Sequence, residues 1–117
     1  MKDSFKIINL SFAQIRIGLE WIGEDVLLIV SGGERPHIGC TVMSVPRPSL
    51  TGDGATSCTS SVLNLTGHMD EGICRVLAEK ACRAFGRTTV CTGGFHKDSL
   101  TPEELAEIQQ AVKEFEF

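Results

Sequence analysis

Three histidines are the only side chains in this 117-residue sequence that ordinarily change charge near neutral pH, and each stands close to glycine. They occur in the stretches Gly33-Glu34-Arg35-Pro36-His37-Ile38-Gly39, Gly67-His68-Met69 and Gly93-Gly94-Phe95-His96-Lys97. Imidazole suits zinc, iron and similar ions. It also binds phosphate when protonated or when it acts as a neutral donor. Glycine lets backbone N–H groups come close to a ligand, and Arg35 and Lys97 add positive charge. These residue types therefore point to anion binding, centred on Gly33, Arg35, His37, Gly67, His68, Gly94, His96 and Lys97, or to a metal held by His37, His68 and His96. No His-x-His or HExxH spacing supports the metal reading, so it rests on the three imidazoles falling together.

The other reactive side chains give weaker signals. Asp70 and Glu71 could add carboxylate to the site, but they fall in the first turn of a predicted helix, where carboxylates normally complement the helix dipole. Ser57, Thr59 and Ser61 alternate on one strand face without a histidine at motif spacing, so they read as a solvated or subunit-facing surface. The five cysteines, Cys40, Cys58, Cys74, Cys82 and Cys91, are odd in number and form no CxxC pair. They read as reduced, mostly buried thiols rather than a disulfide or zinc framework, with Cys91 in the core. There is no GxGxxG fingerprint and no P-loop.

Strands must position the histidines in the first half of the chain. Phe5 to Phe12 alternates with a change of parity near Ile7-Ile8. Ile15, Ile17, Leu19 and Trp21 alternate cleanly with Gln14, Arg16, Gly18 and Glu20. Val26 to Val30 is a continuous apolar strand that Ser31-Gly32-Gly33 interrupts, and a further strand covers 38–45 until Pro46-Arg47-Pro48 ends it. A loop at 49–57, containing Thr51-Gly52-Asp53-Gly54, leads to a strand over 58–65.

The period then changes to that of a helix. Met69, Ile73, Val76, Leu77, Ala81 and Ala84 share a side, with Phe85 beside them and Gly86 just past the end. Glu71–Arg75 and Glu79–Arg83 have the spacing of surface ion pairs. A short strand at 88–91 stops at Gly93-Gly94. Thr101-Pro102-Glu103-Glu104 has the form of a capping box and opens a second amphipathic helix through Leu105, Ile108, Val112 and Phe115. The expected fold is α+β: an antiparallel sheet with one βαβ crossover and two amphipathic helices packed on it. On this reading the strands at 58–65 and 88–91 run parallel across the crossover.

Chain direction then places the site. With strand 26–30 running up, its exit loop brings His37 to the top. Strand 38–45 runs down, strand 58–65 returns up to His68, the helix descends, and strand 88–91 rises to His96. All three histidines fall on one rim, and the N-terminus of the first helix points at it, which favours an anion. The lower loop carries Arg47 and Asp53, with Arg87 nearby, and reads as a turn serving the fold. In a homo-oligomer it would approach a neighbour's rim.

Composition limits the alternatives. The length gives one domain, 1–117. Residues 1–100 hold ten basic and ten acidic side chains, and 101–117 hold one Lys and five Glu, so the body is neutral and the acidity sits in the last helix. Without a basic stripe, nucleic-acid binding is not expected. No apolar run approaches the roughly 18 residues of a membrane span, and Met1-Lys2-Asp3 leads into a strand rather than a secretory signal. A cytoplasmic protein is expected, and a small chain with a Trp-ended apolar strand face is expected to form a homo-oligomer, at least a dimer.

The loop motifs resemble one known family. Gly32-Gly33-Glu34-Arg35-Pro36-His37-Ile38-Gly39, Pro48-Ser49-Leu50-Thr51-Gly52-Asp53-Gly54, Gly67-His68, Gly86-Arg87-Thr88, Gly93-Gly94-Phe95-His96 and Thr101-Pro102-Glu103-Glu104 are similar to stretches of the small accessory D subunit of gallate-type hydroxyarylic acid decarboxylases. That family is described as a prenylated-flavin chaperone and is similar in fold to small proteasome-assembly chaperones. The resemblance implies a non-catalytic protein that holds reduced prenylated flavin mononucleotide, supports maturation of a decarboxylase catalytic subunit, and leaves the chemistry to the cofactor and partner. The flavin phosphate would be the anion at the rim. From the residues alone, two other readings stay open: an assembly or protein-interaction factor without a small ligand, and a small metal-dependent enzyme built on the histidines. Of the rim side chains, His37 is expected to matter most, because Pro36 stiffens its approach and a strand anchors the residues after it.

Overall fold

A computed structural model describes residues 2–65 and 69–117. Five strands come first: β1 (Ser4–Asn9), β2 (Gln14–Ile22), β3 (Asp25–Gly33), β4 (Cys40–Pro48) and β5 (Thr56–Asn64). They are followed by α1 (Met69–Phe85), β6 (Thr89–His96) and α2 (Pro102–Glu114). The strands form one sheet in the order β1-β2-β3-β6-β4-β5. Every neighbouring pair is antiparallel except β3 and β6.

The sheet is therefore mainly antiparallel with one parallel pair, but that pair is β3 and β6 rather than the expected strands 58–65 and 88–91. β5 and β6 do run in the same direction, but they are not neighbours. β6 enters between β3 and β4, pairing parallel with Val26–Gly33 and antiparallel with Cys40–Ser44. Local periodicity sets a strand's faces but not its neighbours, so this insertion leaves no mark in the pattern.

Three strands also differ from expectation in their limits. β6 runs through Gly93-Gly94 to His96, because both glycines are paired with β3 rather than forming a turn. β3 likewise continues through Gly32-Gly33. β4 starts at Cys40, not residue 38, and continues through Pro46 and Pro48. β6 accompanies β4 only as far as Ser44, so beyond it β4 has one partner, and prolines that lack a donor are tolerated there.

One face of the sheet carries the core. Ile15 and Ile17 of β2, Val26, Leu28 and Val30 of β3, Val42 of β4 and Cys91 of β6 alternate onto it. They meet Ile73, Leu77 and Ala81 of α1 and Ile108 and Val112 of α2. Full burial of a side chain such as Leu28 or Leu77 contributes about 1.5–3 kcal/mol. Ala84 lies outside this layer and is exposed, while Cys74, Ala78 and Cys82 complete the buried face of α1. Trp21 packs edge-on to Phe85 with ring centroids 5.2 Å apart.

The helix ends follow their signals. Gly86 takes φ +65° and its N–H donates to the carbonyl of Cys82. Thr101 Oγ1 accepts from the Glu104 N–H at 3.1 Å, and Glu104 Oε1 accepts from the Thr101 N–H at 3.0 Å. Of the two expected ion pairs on α1, Glu71–Arg75 forms at 3.5 Å. Glu79 instead accepts from Ser60 Oγ at 2.6 Å, and Arg83 turns to the Cys58 sulfur.

Candidate functional site

The parallel pair sets the site. β3 and β6 end side by side at Gly33 and His96, so their exit loops and the start of α1 meet at one end of the sheet. The Glu34 N–H donates to the His96 carbonyl at 2.7 Å, and the Gly39 N–H donates to the Gly93 carbonyl at 2.9 Å. These two bonds pin both ends of the 34–39 loop to β6. The loop thereby holds His37 against His96, with ring centroids 6.0 Å apart and the planes nearly perpendicular.

A buried carboxylate lies beneath the rings. Asp70, in the first turn of α1, is 7% exposed. Its Oδ1 accepts from the Phe95 N–H at 2.8 Å, and its Oδ2 lies 3.2 Å from His37 Nε2. The helix N-terminus favours its negative charge. Room for it exists because Gly39 and Gly94 face it: a methyl group on either would run into the carboxylate. Asp70 thus locks α1 to β6 and orients His37. Its position in a first helical turn pointed to the dipole ahead of a carboxylate at the site, and neither reading foresaw its bond to the Phe95 N–H.

His96 is held differently. Its Nε2 lies 2.8 Å from Arg35 Nη2 and 2.9 Å from Asp98 Oδ1, and Arg35 reaches the same Asp98 oxygen at 3.1 Å. Nε2 serves one of these at a time, accepting from the guanidinium in one tautomer and donating to the carboxylate in the other. The hydrogen bond from His96, reinforced by the charge of Arg35, holds Asp98 below the usual carboxylate range. His96 is the last residue of β6 and not part of a loose loop, whereas His37 is the loop residue.

The remaining expected residues divide. Gly33 stands against the His96 backbone. Lys97 is drawn to α2, 3.1 Å from Glu104 Oε1, with its ammonium 5.8 Å from the Phe12 ring centre. Gly67 and His68 lie outside the described residues. The three-histidine metal reading therefore has two of its members in place, and among the described residues no group of three His, Cys, Asp or Glu is arranged to hold an ion. The charged residues of the lower loop are engaged locally: Arg47 donates to Thr59, Asp53 accepts from the Ala55 N–H within its own turn, and Arg87 faces Glu24 at 3.6 Å.

Two grooves flank the rim on the side of the sheet away from the helices. One, of about 400 Å3, is almost wholly apolar, lined by Leu27, Ile29, His37, Ile38 and Thr92. The other, of about 460 Å3, is mixed and carries Arg16, Lys97, Gly32, Gly33 and Pro36. Ser31 lines both. Neither groove stood out in the sequence, because each draws on several strands.

Three of the buried thiols are held in their protonated form. Burial pushes Cys40 up to about 12 and Cys82 up to about 11, and raises Cys91 as well, with neighbouring Cys74 adding to the effect on Cys40 and Cys91. A thiol so raised stays protonated at neutral pH.

Fold and crevice together define a small α+β protein with a mixed six-stranded sheet, two helices on one face and a glycine- and histidine-lined rim. The same fold occurs in a solved chaperone complex for yeast 20S proteasome assembly, with TM-score 0.55 and 15% identity over 96% of this chain and 88% of that one. The chain itself belongs to the family described as the prenylated flavin chaperone LpdD-like domain, whose family model matches residues 11–116. A comparison with curated proteins finds no match. Among the described residues no helix is long and apolar enough to cross a membrane.

Proposed function

We propose that this protein holds reduced prenylated flavin mononucleotide and helps deliver it to a hydroxyarylic acid decarboxylase, without catalysis of its own. Membership in the prenylated flavin chaperone family carries this reading. The rim supports it physically. A flavin has a flat apolar ring system and a dianionic phosphate, and needs an apolar wall beside a cationic edge. The apolar groove beside His37 offers the first, and the neighbouring groove, where Arg16 and Lys97 stand with Glu34, offers the positive charge of the second. Among the rim residues Gly33, Arg35, His37, Gly94, His96 and Lys97 are proposed to contact or shape the cofactor site, with Gly67 and His68 completing it.

His37 is the sharpest test. Asp70 orients it, and the side chain is 37% exposed at the mouth of the apolar groove. His37→Ala is expected to weaken anaerobic binding of the reduced cofactor by about tenfold or more, which is about 1.4 kcal/mol. Folding stability should change by about 1 kcal/mol or less, since the lost partner is a half-exposed imidazole. A large loss of melting temperature with unchanged affinity would make His37 a structural residue. Wild-type protein that emerges from incubation colourless and free of flavin would overturn the reading, with plain flavin mononucleotide as the control for prenyl recognition.

A divalent metal at His37, His68 and His96 is the second reading. The observation favouring it is that His37 Nε2 faces a carboxylate, the arrangement that orients a ligating imidazole and leaves Nδ1 for an ion. Elemental analysis of protein purified without a nickel column decides it, and a substoichiometric metal content removes it.

A further inference from the structure

We infer that this chain binds a small aromatic carboxylate, one ring in size, in a pocket at the end of the sheet opposite the rim. Ile17, Leu19 and Trp21 of β2 fall on the helix-covered face by strand alternation. Trp21 pairs with Val26 where β3 begins, at the far end of that strand from Gly33 and His96. α1 ends here with Phe85, and the chain just past α2 adds Phe115 and Phe117. Together these side chains line a pocket of about 250 Å3. It shares no residue with the two grooves at the rim.

Its walls suit an aromatic ring. Trp21 and Phe85 stand 5.2 Å apart between ring centres, Phe85 and Phe117 6.0 Å, and Phe115 and Phe117 4.9 Å. All three contacts are edge to face, with planes between 62° and 86° apart. A guest ring extends the cluster by the same geometry, which the aromatic quadrupole favours. The four aromatic side chains are only half-buried, so a guest that covers them removes apolar surface from water. The volume sets the size of the guest. It lies below the roughly 300–1,000 Å3 of sites that take drug-sized ligands, too little for a tricyclic flavin and enough for one ring.

The mouth selects an acid. Ser4 and Lys6 of β1 stand opposite Leu19 and Ile17, so they share the pocket's face of the sheet, and Lys2 lines the same mouth. Lys6 Nζ lies 5.5 Å from the Phe115 ring centre. Among the described residues neither Lys2 nor Lys6 forms an ion pair. Lys80, by contrast, is taken up by the Phe115 carbonyl at 2.9 Å and by Glu116 at 3.6 Å. No Asp or Glu lines the pocket among the described residues. Two ammonium groups and a hydroxyl beside aromatic walls complement a carboxylate carried on a ring. They offer point charges, without the guanidinium fork or the nest of backbone amides that favours phosphate.

Trp21 is the only tryptophan of the sequence and reports on the pocket directly. Titrating the full chain with benzoate, without flavin, should change its fluorescence along a saturating curve, half-complete at about 1 mM or below. Benzyl alcohol, which lacks the charge, and cyclohexanecarboxylate, which lacks the aromatic ring, should each bind severalfold more weakly. Lys2→Gln combined with Lys6→Gln should weaken benzoate binding about tenfold or more, with native circular dichroism. Phe117→Ala should weaken it severalfold, and Arg75→Gln, in the first half of α1, should leave it unchanged. If the double lysine variant fails to fold, Phe117→Ala carries the test, together with a loss of wild-type affinity between about 0.05 M and about 0.5 M salt. A fluorescence change that never saturates overturns the inference. So does benzoate affinity that survives the loss of both lysines, or that benzyl alcohol or cyclohexanecarboxylate equals. Benzoate binding by a protein that takes up no flavin upholds this pocket and sinks the cofactor reading. Flavin binding without benzoate binding does the reverse.

Discussion

Glycines gather at both ends of the sheet, and they are there for opposite reasons. At the lower end, Gly52 and Gly54 turn the chain with φ of +72° and +79°, and a methyl group on either would meet nothing within 4 Å. That turn closes on itself. The Ser49 N–H donates to the Ala55 carbonyl, and the Ala55 N–H donates to Asp53 at 2.9 Å, which lowers the Asp53 carboxyl below its usual range. At the rim, glycines make room. A methyl group on Gly93 would collide with the Val30 backbone, and on Gly94 with the Asp70 carboxylate. One end is a self-contained turn. The other is a junction where two strands, a loop and a helix start compete for the same space, and only the junction brings side chains from distant parts of the chain into one place.

The comparison breaks most visibly at Gly93. It combines φ +136° with a methyl-excluding contact against the neighbouring strand. Gly93→Ala is expected to destabilise the fold by more than about 3 kcal/mol, since conformational strain and overpacking add. Gly52→Ala carries only the left-handed backbone cost of about 1 kcal/mol. Denaturant unfolding of the two variants measures the difference directly. Equal losses would show that both ends use glycine for conformation alone.

Asp70 gives the next largest effect. Asp70→Ala leaves the Phe95 N–H without its acceptor in a buried site and removes the partner of His37. The expected loss is about 2–3 kcal/mol, the range for a buried hydrogen bond to a charged group. Asp70→Asn keeps an oxygen for the Phe95 N–H and should recover about half of that. Asp53→Ala, at the lower end, removes a bond on an open surface and should move the melting temperature far less. If Asp70→Ala and Asp53→Ala shift melting equally, Asp70 does not lock α1 to β6 at the rim.

Much of this was legible in the chain. The α1 boundary at Phe85 and the α2 capping box follow from spacing, because helix signals are local. The meeting of His37 and His96 follows from strand direction, which needs only that the strand directions be correct, not who pairs with whom. The pairing of β6 between β3 and β4 was not legible, because register between distant strands is decided by packing across the whole sheet. Nor was the role of Asp70: an acid in a first helical turn looks the same whether it faces water or a buried N–H. A signal for it did exist. Gly39 and Gly94 both lie where β4 and β6 approach the helix start, and neither has a turn to make, so each marks space kept for another group. Reading Gly93-Gly94 as a stop concealed it.

The smallest effect sharpens the picture at the edge of the rim, where Glu104 ties Lys97 to α2. The Thr101 N–H, followed by Lys97, lowers the Glu104 carboxyl below its ordinary value of 4.5. A group whose folded value is depressed stabilises the fold above its unfolded value, and that contribution fades as pH falls through the folded value. Glu104→Gln keeps an oxygen for the Thr101 N–H but discards the charge. Wild type should therefore melt slightly above Glu104→Gln at neutral pH, and the gap should narrow once pH drops below 4.5, as the wild-type carboxyl becomes neutral too. Melting curves from about pH 7 to about pH 3 check this. A gap that stays constant through that range would mean that the charge contributes nothing, and that Lys97 is held at the rim by its stacking over Phe12 instead.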